Sequence, residues 1–219
     1  MMATHAYAGP KLDEIFAPDM LQAQVPYLET ITGPAKYIRN GTGGIQIREY
    51  PVEGCRVLAY AKDTEVEGYS LDLKPACNIN LGKYFNTEFS TQGLTIEKFT
   101  SAVGAGPGQP LTVQSDCISM CGNAADPTVD FAYHGPHAVN FLTVIATVIL
   151  VDKPSLDAAD EWRTAMKSQG EGYVINTRFN CDHRFDAFAN RAFANVPVYQ
   201  LTIGYEPNAA SYAAGCKRR

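Results

Sequence analysis

The chain has 219 residues, a formal net charge of −5 and a charged fraction of 19%, and its length suits one large domain or two small ones with a core of their own. The acidic balance leaves no basic footprint for nucleic acid or anionic lipid; the one basic run, Lys217-Arg218-Arg219, reads as a solvated end. No segment reaches the roughly 18 apolar residues that span a bilayer, and the longest apolar run, Val139 to Val151, is broken by Asn140, Thr143 and Thr147 and reads as buried core.

In chain order, Asp19 to Ile31 carries Met20, Leu21, Val25, Leu28 and Ile31 near helical spacing, with Pro26 at a kink or at a second helix start. Gly33-Pro34 stops this helix. Strand-like runs follow at Ile45 to Tyr50, Cys55 to Ala61 and Val66 to Leu73, with turns at Asn40 to Gly44 and Lys62 to Glu65. Along the third run Tyr69, Leu71 and Leu73 alternate with Glu67, Ser70 and Asp72, which predicts one buried and one open face.

A second round begins where Thr95 caps a helix carrying Ile96, Phe99 and Val103 on one face, ended by the glycines from Gly104 to Gly108. Strands are predicted at Val113 to Met120, Thr128 to Tyr133 and Val139 to Val151, the last favoured by its Val, Ile and Thr content. Gly135-Pro136 reads as the turn between two of them. Ser155 is the expected cap of a helix with Leu156, Ala159, Trp162 and Met166 on its apolar face, and Asp157, Asp160 and Glu161 suit its early turns. Tyr173 to Phe179 is a predicted strand. Asp182 is the expected cap of a helix carrying Phe185, Phe188, Ala192 and Phe193, and Val196 to Tyr205 is the final strand.

This order predicts an α+β fold, an antiparallel sheet or sheets with helices packed on one face, and it admits two tandem helix–β-meander repeats. The predicted organisation is a first helix–β-meander unit over 11–90, a second helix–β unit with extra helices over 91–206, and a loose tail over 207–219.

Six cysteines, Cys55, Cys77, Cys117, Cys121, Cys181 and Cys216, form an even set that fits a disulfide framework. Cys55 opens one strand of a hairpin and Cys77 lies just past the end of the next, so these two are expected to pair. Cys181 is expected to join Cys117 or Cys121, with Cys117–Cys121 as the competing pair and Cys216 as the unpaired cysteine or the partner of the leftover. Ala6-Tyr7-Ala8 matches the small-x-small pattern cut by signal peptidase, although the charged and apolar parts of a signal peptide do not precede it. The expectation is a periplasmic or secreted protein.

Two stretches, Leu28-Glu29-Thr30-Ile31-Thr32-Gly33-Pro34 and Ile96 to Gly108, are each followed by strands carrying a cysteine. This order resembles the β-lactamase-inhibitor-like fold, which also occurs in the SmpA/OmlA (BamE) outer-membrane lipoproteins; the resemblance is architectural and covers roughly residues 18–150. Gly54-Cys55, Lys74-Pro75-Ala76-Cys77, Cys117 to Pro127 and Asn180-Cys181-Asp182 make most of the chain similar to uncharacterised secreted proteins of Gram-negative bacteria. Neither resemblance brings catalytic residues.

His134-Gly135-Pro136-His137 and Cys181-Asp182-His183 are the best metal candidates, since zinc needs three or four converging ligands. Helix capping by Asp182 and oxidation of Cys181 explain the second group more simply, so no metal and no cofactor is expected. Cys121-Gly122-Asn123 near a histidine has the residue types of a thiol nucleophile but matches no nucleophile motif. Gly104 to Pro110 lacks the Lys-Ser/Thr of a phosphate loop. The expected function is therefore non-catalytic binding of another envelope or extracellular protein, as scaffold or inhibitor, with a secreted hydrolase using a Cys/His or metal site as the alternative. The expected binding residues are Gly122, Asn123, Asp126, Tyr133, His134 and His137, on loops rich in turn residues. Convergence of His134, His137 and His183 on one cleft is the feature that favours the alternative.

Overall fold

The computed structural model describes residues 10–105, 111–115, 117–118, 126–135, 142–175, 180 and 182–205. In chain order the elements are α1 (Pro10–Ile15), a 3-10 turn (Pro18–Met20), α2 (Val25–Thr32), β1 (Tyr37–Asn40), β2 (Ile45–Val52), β3 (Cys55–Lys62) and β4 (Glu65–Asp72). Then come α3 (Gly82–Phe85), α4 (Ile96–Ala102), β5 (Thr112–Gln114), β6 (Thr128–His134), β7 (Leu142–Ile149), α5 (Lys153–Lys167), α6 (Glu171–Ile175), α7 (Asp186–Ala192) and β8 (Gln200–Tyr205). The chain is α+β, with an antiparallel sheet in the order β1-β2-β3-β4-β8-β7-β6-β5. Contacts group the described residues into two units. One runs up to Gly93 and includes β8; the other runs from Leu94 and holds most of β7 and the helices up to Tyr199.

The first unit is built by neighbours in sequence. Pro26 sits in the first turn of α2, where its missing N–H costs nothing, and Gly33 ends the helix at φ 78°. β1 to β4 pair in sequence order with short turns, Tyr37 opposite Glu49, Tyr50 opposite Val57 and Val57 opposite Leu71. β8 completes the run against β4, with Gly204 opposite Gly68. A Cβ at Gly204 would collide with the backbone of Glu67 and Gly68, so this crossing requires glycine. Leu12, Ile15, Phe16, Leu28 and Tyr69 form the core, the Phe16 and Tyr69 rings 5.6 Å apart.

The open outer face expected of β4 is absent. Ser70 and Asp72 are 0% and 4% exposed. The polar groups are tolerated because each is paired: Ser70 shares hydrogen bonds with the hydroxyls of Tyr60 (2.8 Å) and Thr202 (2.5 Å), and Asp72 accepts from Arg56 (3.2 Å) and Gln200 (2.7 Å). β1 and α1 are elements that the sequence patterns did not mark, each too short to show a period.

In the second unit Thr95 caps α4 as expected, its hydroxyl accepting from Lys98 N–H at 3.4 Å, and Ile96, Phe99 and Val103 are buried. The Val139 to Val151 run forms β7 over Leu142–Ile149 and is strand, not helix. The core stacks Trp162 on Phe193 and Phe193 on Phe131, ring centroids 6.3 and 5.3 Å apart.

Several expectations change here. β5 is three residues long, Thr112–Gln114. Asp152 and not Ser155 caps α5; the two form a capping box, with Ser155 buried at the third helical position. Leu156 is 47% exposed and its expected core place goes to Ala158. Tyr173 to Ile175 lie in α6, not in a strand. Tertiary contact overrides their β propensity: Tyr173 packs on Phe185 at 5.7 Å and its hydroxyl accepts from Asn180 N–H at 3.0 Å. Asp182 does not cap α7, which begins at Asp186; Asn180 instead accepts from Phe185 N–H at 2.9 Å. The predicted final strand begins at Gln200 instead of Val196.

Candidate functional site

Cys55 and Cys77 are bonded, as the spacing predicts, with Cα atoms 5.6 Å apart. Cys55 opens β3, and Cys77 is held by a tight turn in which its N–H donates to Lys74 O at 2.8 Å. Cys117 is also disulfide-bonded. Its thiol is therefore not a free nucleophile. Cys121, Cys181 and Cys216 lie outside the described residues.

Of the expected binding residues, Gly122, Asn123 and His137 lie outside the described residues. Asp126 is exposed just before β6, whereas Tyr133, half-buried, and His134 end that strand. β6 runs seven residues from Thr128 to His134, about 20 Å at the rise of an extended chain.

His134 does come near His183. His134 Nε2 lies 3.4 Å from the Thr112 hydroxyl. His134 is exposed, yet desolvation, and then the charge of His183, hold its pKa below the ordinary value. His183 adopts φ 59°, a left-handed conformation that histidine enters more readily than most side chains, and its Nδ1 lies 3.1 Å from Asp186 Oδ2. Among the described residues nothing bonds His183 Nε2. Asp186 is buried at the start of α7, and its carboxyl pKa is raised by burial against opposing hydrogen bonds from Asn180, His183 and Val113. Asp182 sits on the exposed side. Burial works against its ionisation, but the Tyr173 hydroxyl (2.9 Å) and Arg184 hold its carboxyl below the ordinary range.

The buried part of this cluster has a structural task. Asp186 Oδ1 accepts from Val113 N–H at 3.2 Å, and Asn180 Nδ2 donates to Val113 O at 3.1 Å and to Asp186 Oδ1 at 2.7 Å. Val113 is the middle residue of β5, the last strand of the sheet. Its backbone groups that do not face β6 are taken by two side chains standing where another strand would be. Sequence reasoning missed this, because Asn180 and Val113 are 67 residues apart. The one local sign is Asn180 itself, whose φ of 54° suits asparagine in a tight turn.

In the first unit, the edge strand β1 is left open. All four residues of β1 are exposed, Tyr37 at 60% and Ile38 at 54%. Among the described residues only β2 pairs with this strand. Tyr27, on α2, is a further exposed aromatic of the same unit. The sequence does carry a signal for β1: an aromatic and a β-branched residue between the Gly33-Pro34 stop and the Asn40-Gly41 turn.

A shallow cleft beside α5 is lined by Asp157, Asp160, Glu161, Thr164, Ala165 and Phe188. Lys153 and Arg163 neutralise Asp157 and Asp160, so it is a solvated helix face and not a built site. Among the described residues no three His, Cys, Asp or Glu side chains are placed to hold a metal. No helix among them is long and apolar enough to cross a membrane. Compared with known proteins, the chain matches no family model, no curated sequence and no solved structure.

Proposed function

We propose that this chain is a non-catalytic envelope or secreted protein that binds another protein by accepting an extended segment of it along β1. The observation that carries the reading is the contrast at the sheet ends: β5 has its outward backbone occupied by Asn180 and Asp186, whereas β1 is bare and bears Tyr37 and Ile38 in solvent. An exposed strand edge is a ready template for an added strand, with backbone hydrogen bonds for affinity and alternate side chains for specificity. The disulfides at Cys55–Cys77 and Cys117 support an oxidising compartment.

The test uses Tyr37→Pro and Ile38→Pro. Successive N–H groups of a strand point to opposite sides, so one variant removes an outward donor and the other a bond to β2. The variant that keeps wild-type circular dichroism is expected to lose selection of extended peptides from a displayed library. If it selects the same peptides as wild type, β1 is not the docking edge.

A secreted hydrolase is the second reading, favoured by one feature: His183 has a buried carboxylate on Nδ1, an unbonded Nε2, and His134 close by. The β5-capping task of Asp186 accounts for the pair without catalysis. Hydrolysis of an ester panel by wild type, lost in His183→Ala, would reinstate the enzyme.

A further inference from the structure

Resting on the β1 docking reading, we infer that the segment added to β1 is acidic, an extended stretch of the form acid–apolar–apolar–acid. From Thr30 to Arg48 the chain holds Lys36, Arg39 and Arg48 and no Asp or Glu, although the whole carries a net charge of −5. Arg48 is answered by Glu29 at 3.2 Å. Lys36 and Arg39 have no carboxylate partner among the described residues; Lys36 lies over the Tyr37 ring at 5.0 Å. Lys36, in the bend just before β1, donates its N–H to Glu49 O at 2.8 Å, which holds it beside the strand. The edge then reads Lys36, Tyr37, Ile38, Arg39: cation, apolar, apolar, cation.

Side chains alternate along a strand, so within β1 Tyr37 and Arg39 share one face and Ile38 lies on the other, while Lys36, in the bend just before β1, sets its Nζ over the Tyr37 ring. The two cations thus flank the apolar pair Tyr37 and Ile38 along the edge. A partner strand satisfies both faces when it sets an acid opposite each of Lys36 and Arg39 and apolar residues opposite Tyr37 and Ile38. The pattern is symmetric, so it fits a strand running in either direction. For a second copy of this chain, the register that pairs Tyr37 with Ile38 sets Lys36 opposite Arg39, like charge on like.

The experiment titrates the full chain with two synthetic peptides at low salt, one with a Glu-Val-Leu-Glu centre and one with Lys-Val-Leu-Lys in the same flanks. Sedimentation of the protein alone and with phosphatidylglycerol vesicles runs in parallel. The acidic peptide is expected to bind about tenfold or more tighter than the basic one, as two exposed ion pairs allow, and to weaken with salt. The double substitution Lys36→Glu, Arg39→Glu is expected to reverse the preference, and both residues are exposed, so it leaves folding intact. Equal binding of the two peptides, lost in the folded proline variant, would overturn the acidic partner and keep the docking edge. Binding untouched by the proline substitution would overturn both. Absence of peptide binding overturns the inference; vesicle binding abolished by the charge reversal would then identify a membrane surface, and self-association abolished by it a second copy.

Discussion

At β5, Val113 gives its N–H to Asp186 and its C=O to Asn180, and the strand is closed by side chains from residues 67 and 73 positions away. At β1, Tyr37 to Asn40 pair with β2 and present the rest of their backbone and most of their side-chain surface to water. Both strands end the same sheet order. An exposed edge invites unwanted pairing, and natural sheets blunt it with charge, shortness or cover. Here the cover is built on one edge with a buried Asn–Asp pair, whereas the other relies on a short strand and two cations. This contrast between a sealed and a bare edge is what motivates the proposed recognition at β1.

The comparison can be broken or sharpened by substitution. The largest effect is expected from the staple behind the open edge. Cys55 and Cys77 are 22 residues apart, and replacing both by Ser is expected to cost about 3 kcal/mol of unfolding free energy in a urea titration. Peptide binding at β1 should persist wherever the protein stays folded, because neither cysteine lies on β1 or β2. Loss of binding in a folded variant would mean that the edge depends on the staple.

Asn180→Ala opens the closed edge. It strips Val113 O, Asp186 and Phe185 N–H of a partner at once, and leaving buried polar groups unpaired is expected to cost about 1–3 kcal/mol. The uncovered β5 should also raise self-association in sedimentation. A variant as stable and as monomeric as wild type would remove β5 capping from the account.

The smallest effects are in pH, and they are opposite in sign for the two units. Tyr50, on β2, is raised from 10 to about 12 by burial and by the charge of Glu29. Its phenol stays neutral in the fold while the unfolded chain ionises, so this contribution to stability is full below pH 10 and is lost as pH climbs towards 12. His134, beside β5, has its pKa lowered by desolvation and then by His183. The unfolded chain takes up that proton first, so this contribution is full above 6.5 and falls as the pH drops below it. Melting curves across pH should show Tyr50→Phe flattening the alkaline limb and His134→Asn the acid limb. Effects on the exchanged limbs would reverse the assignment.

How much was legible follows from the range of the contacts. Pro26 and Gly33 mark α2, the turns at Asn40 to Gly44 and Asp63 to Thr64 mark the hairpins, and Cys55 meets Cys77 because one hairpin brings them together; each is written within a few dozen residues. The β5 cap is not legible, because nothing near Asn180 or Asp186 names Val113 as its partner. Asp182 reads as a helix cap, yet Tyr173 and Arg184 engage its carboxylate and the helix starts later. Ser70 and Asp72 read as solvent-facing, since alternation cannot reveal that Tyr60, Thr202, Arg56 and Gln200 satisfy them. The open edge has a signal in Tyr37 and Ile38 between the Gly33-Pro34 stop and the Asn40-Gly41 turn, but four residues are too few to show a period.

Amide hydrogen exchange, read residue by residue with and without the Glu-Val-Leu-Glu peptide, tests the open edge most directly. The account predicts new protection at the outward amides of Tyr37 to Asn40, with Val113 protected equally in both states by Asp186. Binding of the peptide with unchanged exchange across β1, or with new protection at β5, would contradict it.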